Sequence, residues 1–259
     1  MNPVNTTSVT ELNDTHRFQK DGFLIVRGLI PEQQCQAIRN EVENCLNPEL
    51  APVEYETDVQ YPGSPEDRAS KGGNTPRRLL HAYSRSPLFR DYATSEVLRD
   101  YLTQLIGCDQ VMLSQCHHNC IMTKHPGYSS MTSWHQDNRY WRFDRPELVS
   151  VWVALGRETS ENGGLMFIPG THRLDLDPGR LDNRLFLRTD LPQNQGLIDQ
   201  AVAPELNVGD VVFFHSCTFH AAGRNLSNEV KLSPVFTYHS ADNLPIPGTR
   251  SANYPSVPL

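Results

Sequence analysis

"GDVVFFHSCTFHAAGRNLSNEVKLSPVFTYHS", residues 209–240, opens on a Gly-Asp turn and runs through four apolar positions. It breaks at a polar stretch holding His215 and His220, then resumes as a β-rich run over 231–240. Short β-type runs separated by turn residues are the pattern of antiparallel strands. The same pattern extends upstream through "QVMLSQCHHNCIMT" (110–123), "LVSVWVAL" (148–155) and "GLMFIPG" (164–170). The C-terminal half therefore reads as a β-sandwich or barrel.

The N-terminal half reads differently. In "FQKDGFLIVRGLI" (18–30) a turn at Asp21-Gly22 precedes an apolar run that ends near Gly28, an early strand. "PEQQCQAIRNEVENCL" (31–46) places Cys35, Ile38, Val42, Cys45 and Leu46 at helical spacing, with Pro31 suited to a first turn. A second helix is expected over "SEVLRDYLTQLIG" (95–107), with Ser95 as cap, Val97, Leu98, Tyr101, Leu102, Leu105 and Ile106 as apolar face, and Gly107 as terminator. Residues 47–77, rich in Pro, Gly and charge and without a period, read as a long loop, and 173–200 as an inserted surface loop. Helices first and strands afterwards predict one mainly β, α+β domain over 1–259. It divides into a helical part (15–107), a strand core (108–240) and a C-terminal tail (241–259).

The chain has 259 residues and a formal net charge of −7 with only 23 Lys and Arg, so no basic footprint for nucleic acid is expected. No apolar run reaches membrane-spanning length and the first residues lack the basic-then-apolar pattern of a signal peptide, which predicts a cytoplasmic protein with no membrane partner. Six cysteines scattered through a chain of this size are expected to be reduced. A small molecule is the expected partner.

His135 and Asp137 in "SWHQDNRYW" (133–141) lie two apart. On an extended strand their side chains share a face, about 6.5 Å apart at the backbone, and can grip one ion. Either His215 or His220 can supply a third ligand. Two His and a carboxylate form the facial triad of non-haem Fe(II) oxygenases. The triplet alone is weak evidence in a chain with 10 His.

Its surroundings are more specific. "WHQD…LVSVWVALGRETSENGGLMFIPGTHR" (134–173), followed by "GDVVFFHSCTFHAAGRNLSNEVK" (209–231), resembles the phytanoyl-CoA dioxygenase family of Fe(II)- and 2-oxoglutarate-dependent oxygenases, and 18–30 is similar to that family's opening strand. The resemblance implies a double-stranded β-helix, the cupin-like jelly roll, flanked by N-terminal helices. It makes His135, Asp137 and His220 the iron ligands, because Asn225 and Ser227 match the family pattern after the distal histidine. It implies no catalytic group beyond those ligands, and names Fe(II), 2-oxoglutarate and O2 as the reactants the protein must hold.

The family places an Arg eleven positions after the distal His, where this chain has Lys231. Lysine can neutralise the distal (C5) carboxylate of 2-oxoglutarate but cannot clamp it through a planar fork. Gln136, Trp152 and Arg78 (or Arg77) match positions the family sets near the cosubstrate, with Arg224 as fallback cation. Arg139, Tyr140, Trp141 and Lys124 are expected to contact the substrate, an anionic or carboxylated one.

A carboxylate at 137 leaves no coordination position for chloride, so the resemblance favours hydroxylation of a small metabolite over halogenation, with release of succinate and CO2. The same cofactors serve desaturation, epoxidation or cyclisation, and a metal-binding jelly roll without activity is the remaining reading. A monomer or homodimer is expected. Cys116-His117-His118-Asn119-Cys120 invites a zinc site, but no second cluster completes four ligands.

Overall fold

The computed structural model describes residues 7–259. Helix α1 (Thr7–Asp21) leads into β1 (Phe23–Val26), followed by α2 (Glu32–Leu46), β2 (Val53–Tyr55), the single turn α3 (Glu56–Val59) and β3 (Pro76–Leu80). Three helices, α4 (Ala82–Arg85), α5 (Pro87–Ala93) and α6 (Glu96–Ile106), precede the strand-rich half. That half contains β4 (Val111–Leu113), β5 (Asn119–Lys124), β6 (Thr132–His135), β7 (Leu148–Val153), β8 (Leu165–Phe167), α7 (Pro192–Ile198), β9 (Val211–His215), β10 (His220–Ala222), β11 (Lys231–Ser240) and β12 (Val257–Pro258).

The described residues form two antiparallel sheets. The larger runs β1-β9-β7-β11-β5-β3-β2, with β4 and β12 attached beside β11; the smaller is β6-β10-β8. Together they make the jelly roll, with helices packed on the outer face of the large sheet. The alternation of β7 shows how. Val149, Val151 and Val153 pack with α2, α5 and α6 residues such as Ile38, Phe89 and Leu98, whereas Trp152 and Ala154 face Leu165 and Phe167 of the small sheet. All six β7 residues are buried, which is why the strand reads as a continuous apolar run. On β11 the helix side carries Leu232, Phe236 and Tyr238, and the inner side carries Lys231, Ser233 and Val235. The inside of the roll is therefore polar at one end.

The Gly-Asp pair at 209–210 serves this architecture. Gly209 has φ +85°, and a Cβ there would stand 2.2 Å from the carbonyl of Ile30. Asp210 accepts from Gly28 N at 2.8 Å and Arg27 at 2.7 Å, tying the exit of β1 to β9.

Several expectations are corrected. Residues 47–77 are not one loop: β2 and α3 lie within them, and β2 pairs with β3 at the sheet edge. The run 110–123 is two strands separated by an irregular turn. Residues 173–200 bury Phe186 and Leu187 and contain α7. The 241–259 tail is packed, with β12 pairing β4. Ser95 stands at the cap position of α6 but its hydroxyl makes no capping bond, and Val97 faces solvent. No helix among the described residues is long and apolar enough to cross a membrane, and all six cysteines are free.

Candidate active site

His135 ends β6 and His220 begins β10, and the two are register partners in the small sheet. Their rings lie 4.2 Å apart. Asp137 is not on a strand, as the two-residue spacing suggested; it opens a 3-10 turn, Asp137–Tyr140, that curls its carboxylate back toward the histidines. Asp137 Oδ1 lies 3.7 Å from His135 Nε2 and 3.6 Å from His220 Nε2. One ligand atom from each of the three lies within 4.8 Å of the others.

The donor set suits a divalent transition metal. His135 Nδ1 meets the carbonyl of Ser133 at 2.8 Å and His220 Nδ1 that of Thr218 at 3.0 Å. A carbonyl can only accept, so both protons sit on Nδ1 and both Nε2 lone pairs face the centre. Burial pushes both imidazoles below their ordinary pKa, so they stay neutral. Burial alone would raise Asp137, but His118, whose Nε2 lies 3.2 Å from Oδ1, outweighs it and holds the carboxyl well below the usual range. Its Oδ2 is buried without a partner. A buried, ionised carboxylate with an orphaned oxygen is costly unless a cation arrives. Those residues fit Fe(II).

Around this centre runs a cavity of about 240 Å³, near the small end of the ~300–1,000 Å³ usual for ligand pockets. Its lining includes Arg77, Arg78, Lys124, Arg139, Tyr140, Trp141, Trp152 and Lys231. Lys231 is buried and already paired: Nζ lies 3.1 Å from Glu158 Oε2 and 3.0 Å from Ser233 Oγ, and 4.6 Å from the Trp152 ring centre. Glu158 is fully engaged, also accepting from Trp152 Nε1 at 3.1 Å and Ser233 at 2.7 Å. Arg78 pairs with Glu54 at 2.6 Å, while Arg77 reaches Glu54 at 3.3 Å and Glu56 at 3.9 Å.

Two expected cosubstrate residues point elsewhere. Gln136 spends its amide on the carbonyl of Cys217 at 2.6 Å and does not line the cavity. Arg224 donates to the carbonyls of Ser129 and Gly127, holding a loop rather than facing the pocket. Its position directly after β10 turns it outward. His215 is outside the triad: its Nδ1 accepts from Cys217 N, and its ring packs 5.3 Å from His172.

The sequence reading missed Glu158 and the role of His118. Glu158 sits between an apolar strand and the "ENGG" turn, an odd place for a lone carboxylate and the one available signal. His118, set aside with the cysteines around it, places Nε2 3.2 Å from Asp137 Oδ1. His117 turns the other way, stacking on Trp141 at 4.8 Å and meeting Ser251 at 2.7 Å. No zinc cluster forms there among the described residues; Cys116 bonds to backbone of Tyr254. Glu56 carried no signal at all in its period-free stretch.

A family model described as phytanoyl-CoA dioxygenase (PhyH) matches residues 18–233. The human peroxisomal phytanoyl-CoA dioxygenase is 25% identical over 95% of this chain and 74% of its own length. Among solved structures, EctD from S. alaskensis, with 2-oxoglutarate and 5-hydroxyectoine, superposes with a TM-score of 0.74 at 19% identity, covering 94% of this chain and 79% of that one. The epimerase SnoN, in complex with Fe3+, alpha-ketoglutarate and nogalamycin RO, superposes with a TM-score of 0.73 at 22% identity, covering 93% and 87%. The chain belongs to the phytanoyl-CoA dioxygenase family and is an Fe(II)- and 2-oxoglutarate-dependent dioxygenase.

Proposed function

We propose that this member of the family holds Fe(II) through His135, Asp137 and His220 and hydroxylates a small anionic metabolite at the mouth of the roll. The convergence of two Nε2 lone pairs on the half-satisfied carboxylate of Asp137 carries the metal assignment. When bound, the iron with 2-oxoglutarate supplies the O2 activation that the side chains cannot, releasing succinate and CO2. The chain's own part is to orient and to exclude water. Trp152, Leu165 and Met122 give the cavity apolar wall, and Lys231 stands deep on β11 where the distal carboxylate of 2-oxoglutarate would meet a cation.

The substrate class follows from charge. The protein is acidic overall, yet Arg139 and Arg250 line the cavity with no carboxylate partner among the described residues. Arg139 lies 4.1 Å over Phe186 and donates to Tyr61, which holds its fork in place without neutralising it. Unpaired guanidinium groups beside Tyr140 and Trp141 suit a carboxylate or phosphate attached to a flat or apolar body. A relative named for an epimerase supports a second outcome on the same site, in which substrate pose directs hydrogen abstraction to something other than hydroxyl return.

Anaerobic addition of Fe(II) and 2-oxoglutarate is expected to give the weak visible charge-transfer band of the chelate. A screen of small carboxylates and phosphates should then find compounds that stimulate succinate formation. Arg139→Gln should raise the KM for such a substrate and leave the 2-oxoglutarate requirement alone. Absence of both the band and any succinate would overturn the assignment.

A further inference from the structure

Lys124 and Lys231 are direct register partners across β5 and β11, and both line the cavity. Two lysines facing each other in a partly closed space repel, so their surroundings must balance them. Lys231 is balanced by Glu158. The two arginines of β3 are balanced by Glu54 and Glu56. Lys124 has neither an ion pair nor a hydrogen bond from its ammonium among the described residues. This cluster therefore holds one positive charge more than it has counterions.

The position of Lys124 is built. Its stem crosses Gly163 of the "ENGG" turn so closely that a Cβ there would stand 2.6 Å from Cδ and 2.9 Å from Cε, and Gly163 has φ +75°. Asn225 donates to the carbonyl of Lys124 at 2.7 Å and to that of Glu229 at 2.7 Å, pinning the end of β5 to the loop that enters β11. Both features serve to hold this side chain against the cavity wall.

We propose that the distal carboxylate of 2-oxoglutarate is held between Lys124 and Lys231, with Lys124 supplying the net charge and Glu158 fixing Lys231 in place. This rests on the 2-oxoglutarate reading and goes beyond it by moving the charge-bearing role to a residue whose position suggested contact with substrate. An ammonium has three N–H groups; Lys231 commits two, to Glu158 and Ser233, and keeps one for a ligand oxygen. The arriving carboxylate then completes a square of two lysines and two carboxylates with zero net charge.

A thermodynamic consequence follows. Burial, with Lys231 and Arg77 facing it, pushes the Lys124 ammonium down to about 7, against the weaker opposing pull of Glu56 and Glu158. Without ligand it is partly deprotonated near neutrality. A carboxylate placed beside it raises its pKa again, so binding takes up a proton, and affinity falls as pH rises above 7.

The test is calorimetric titration of 2-oxoglutarate into Mn(II)-loaded protein at pH 8, in phosphate and in Tris. The wild type is expected to take up close to one proton, read from the buffer dependence of the heat, and this needs no variant. Lys124→Met should remove the uptake and weaken 2-oxoglutarate about tenfold to a hundredfold, the range for a charged hydrogen bond. The same variant should bind 2-oxobutyrate, which lacks the distal carboxylate, as the wild type does. Lys124→Arg should bind 2-oxoglutarate without proton uptake. No uptake by the wild type, or equal weakening of both oxo acids in Lys124→Met, overturns the proposal. Failure of wild-type protein to bind 2-oxoglutarate at all overturns the cosubstrate reading beneath it.

Discussion

At the cluster of His135, Asp137 and His220, neutral imidazoles surround a buried carboxylate with one oxygen unpartnered. At the cluster of Arg77, Arg78, Lys124 and Lys231, every facing carboxylate is already engaged. The two share a cavity and differ in what they lack. The first is short of a cation and is stabilised by receiving one. The second is self-compensated except for one lysine, and so receives a single anionic group while keeping its geometry in the absence of ligand. The first presents lone pairs to an arriving cation, and the second is preorganised for an anion.

Substitutions should break this contrast in opposite directions. Asp137→Ala has the largest expected effect: metal affinity should fall by about a hundredfold to a thousandfold, because a protein-bound Zn(II) is worth about 10–16 kcal/mol over roughly four ligands. The metal-free variant should melt close to the metal-free wild type, because it loses the contact of His118 with Oδ1 together with a buried oxygen that nothing satisfies. Calorimetric metal titration and thermal melts measure the two sides. A lower melting temperature for the metal-free variant would mean the carboxylate is satisfied without the ion.

Lys231→Ala should do the reverse. It strands Glu158, which is 1% exposed, and removing one partner of a buried pair costs about 3–5 kcal/mol. Urea unfolding should show that loss with metal affinity little changed. The double variant Lys231→Ala, Glu158→Ala should recover part of the loss, and simple additivity of the single effects would show that the pair is not coupled.

Acid should act on His117, which turns away from Asp137, with an effect spread over several pH units. Burial, with Arg250 nearby, pushes His117 down to about 3. The unfolded chain binds that proton below about 6.5, whereas the folded chain does so only near 3. Stability from this group is therefore complete above about pH 6.5 and is lost as pH falls toward 3, by about 1.4 kcal/mol per pH unit. Unfolding followed from pH 7 to 4 should show the slope, and His117→Gln should lower it by about 1.4 kcal/mol per pH unit, leaving the share of the other buried histidines such as His215.

Much of this architecture was legible. The helices at 32–46 and 96–106 follow from apolar spacing, and β7, β9 and β11 follow from their β-type runs. The stretch 47–77 was not legible, because β2 is an edge strand of three half-buried residues and has no alternation to display. The histidines of the proposed metal site were visible as residue types, and His135 does end β6 as expected, yet the strand placement inferred for Asp137 was wrong. A single 3-10 turn, closed by the bond from Asn138 N to Ser216 O at 3.0 Å, places Asp137 instead.

The sequence by itself determined the main helices and strands, most of the faces they bury and the kinds of ligand available, because periodicity and turn chemistry act over a few residues. Only the tertiary structure decided which charges meet. Lys231 and Glu158 are 73 positions apart, and His118 reaches Asp137 from the turn that precedes β5. Such pairs depend on the roll closing. The same closure that desolvates these groups makes each pairing strong, leaves Asp137 Oδ2 without a partner, and leaves Lys124 as the unpaired cation of its cluster.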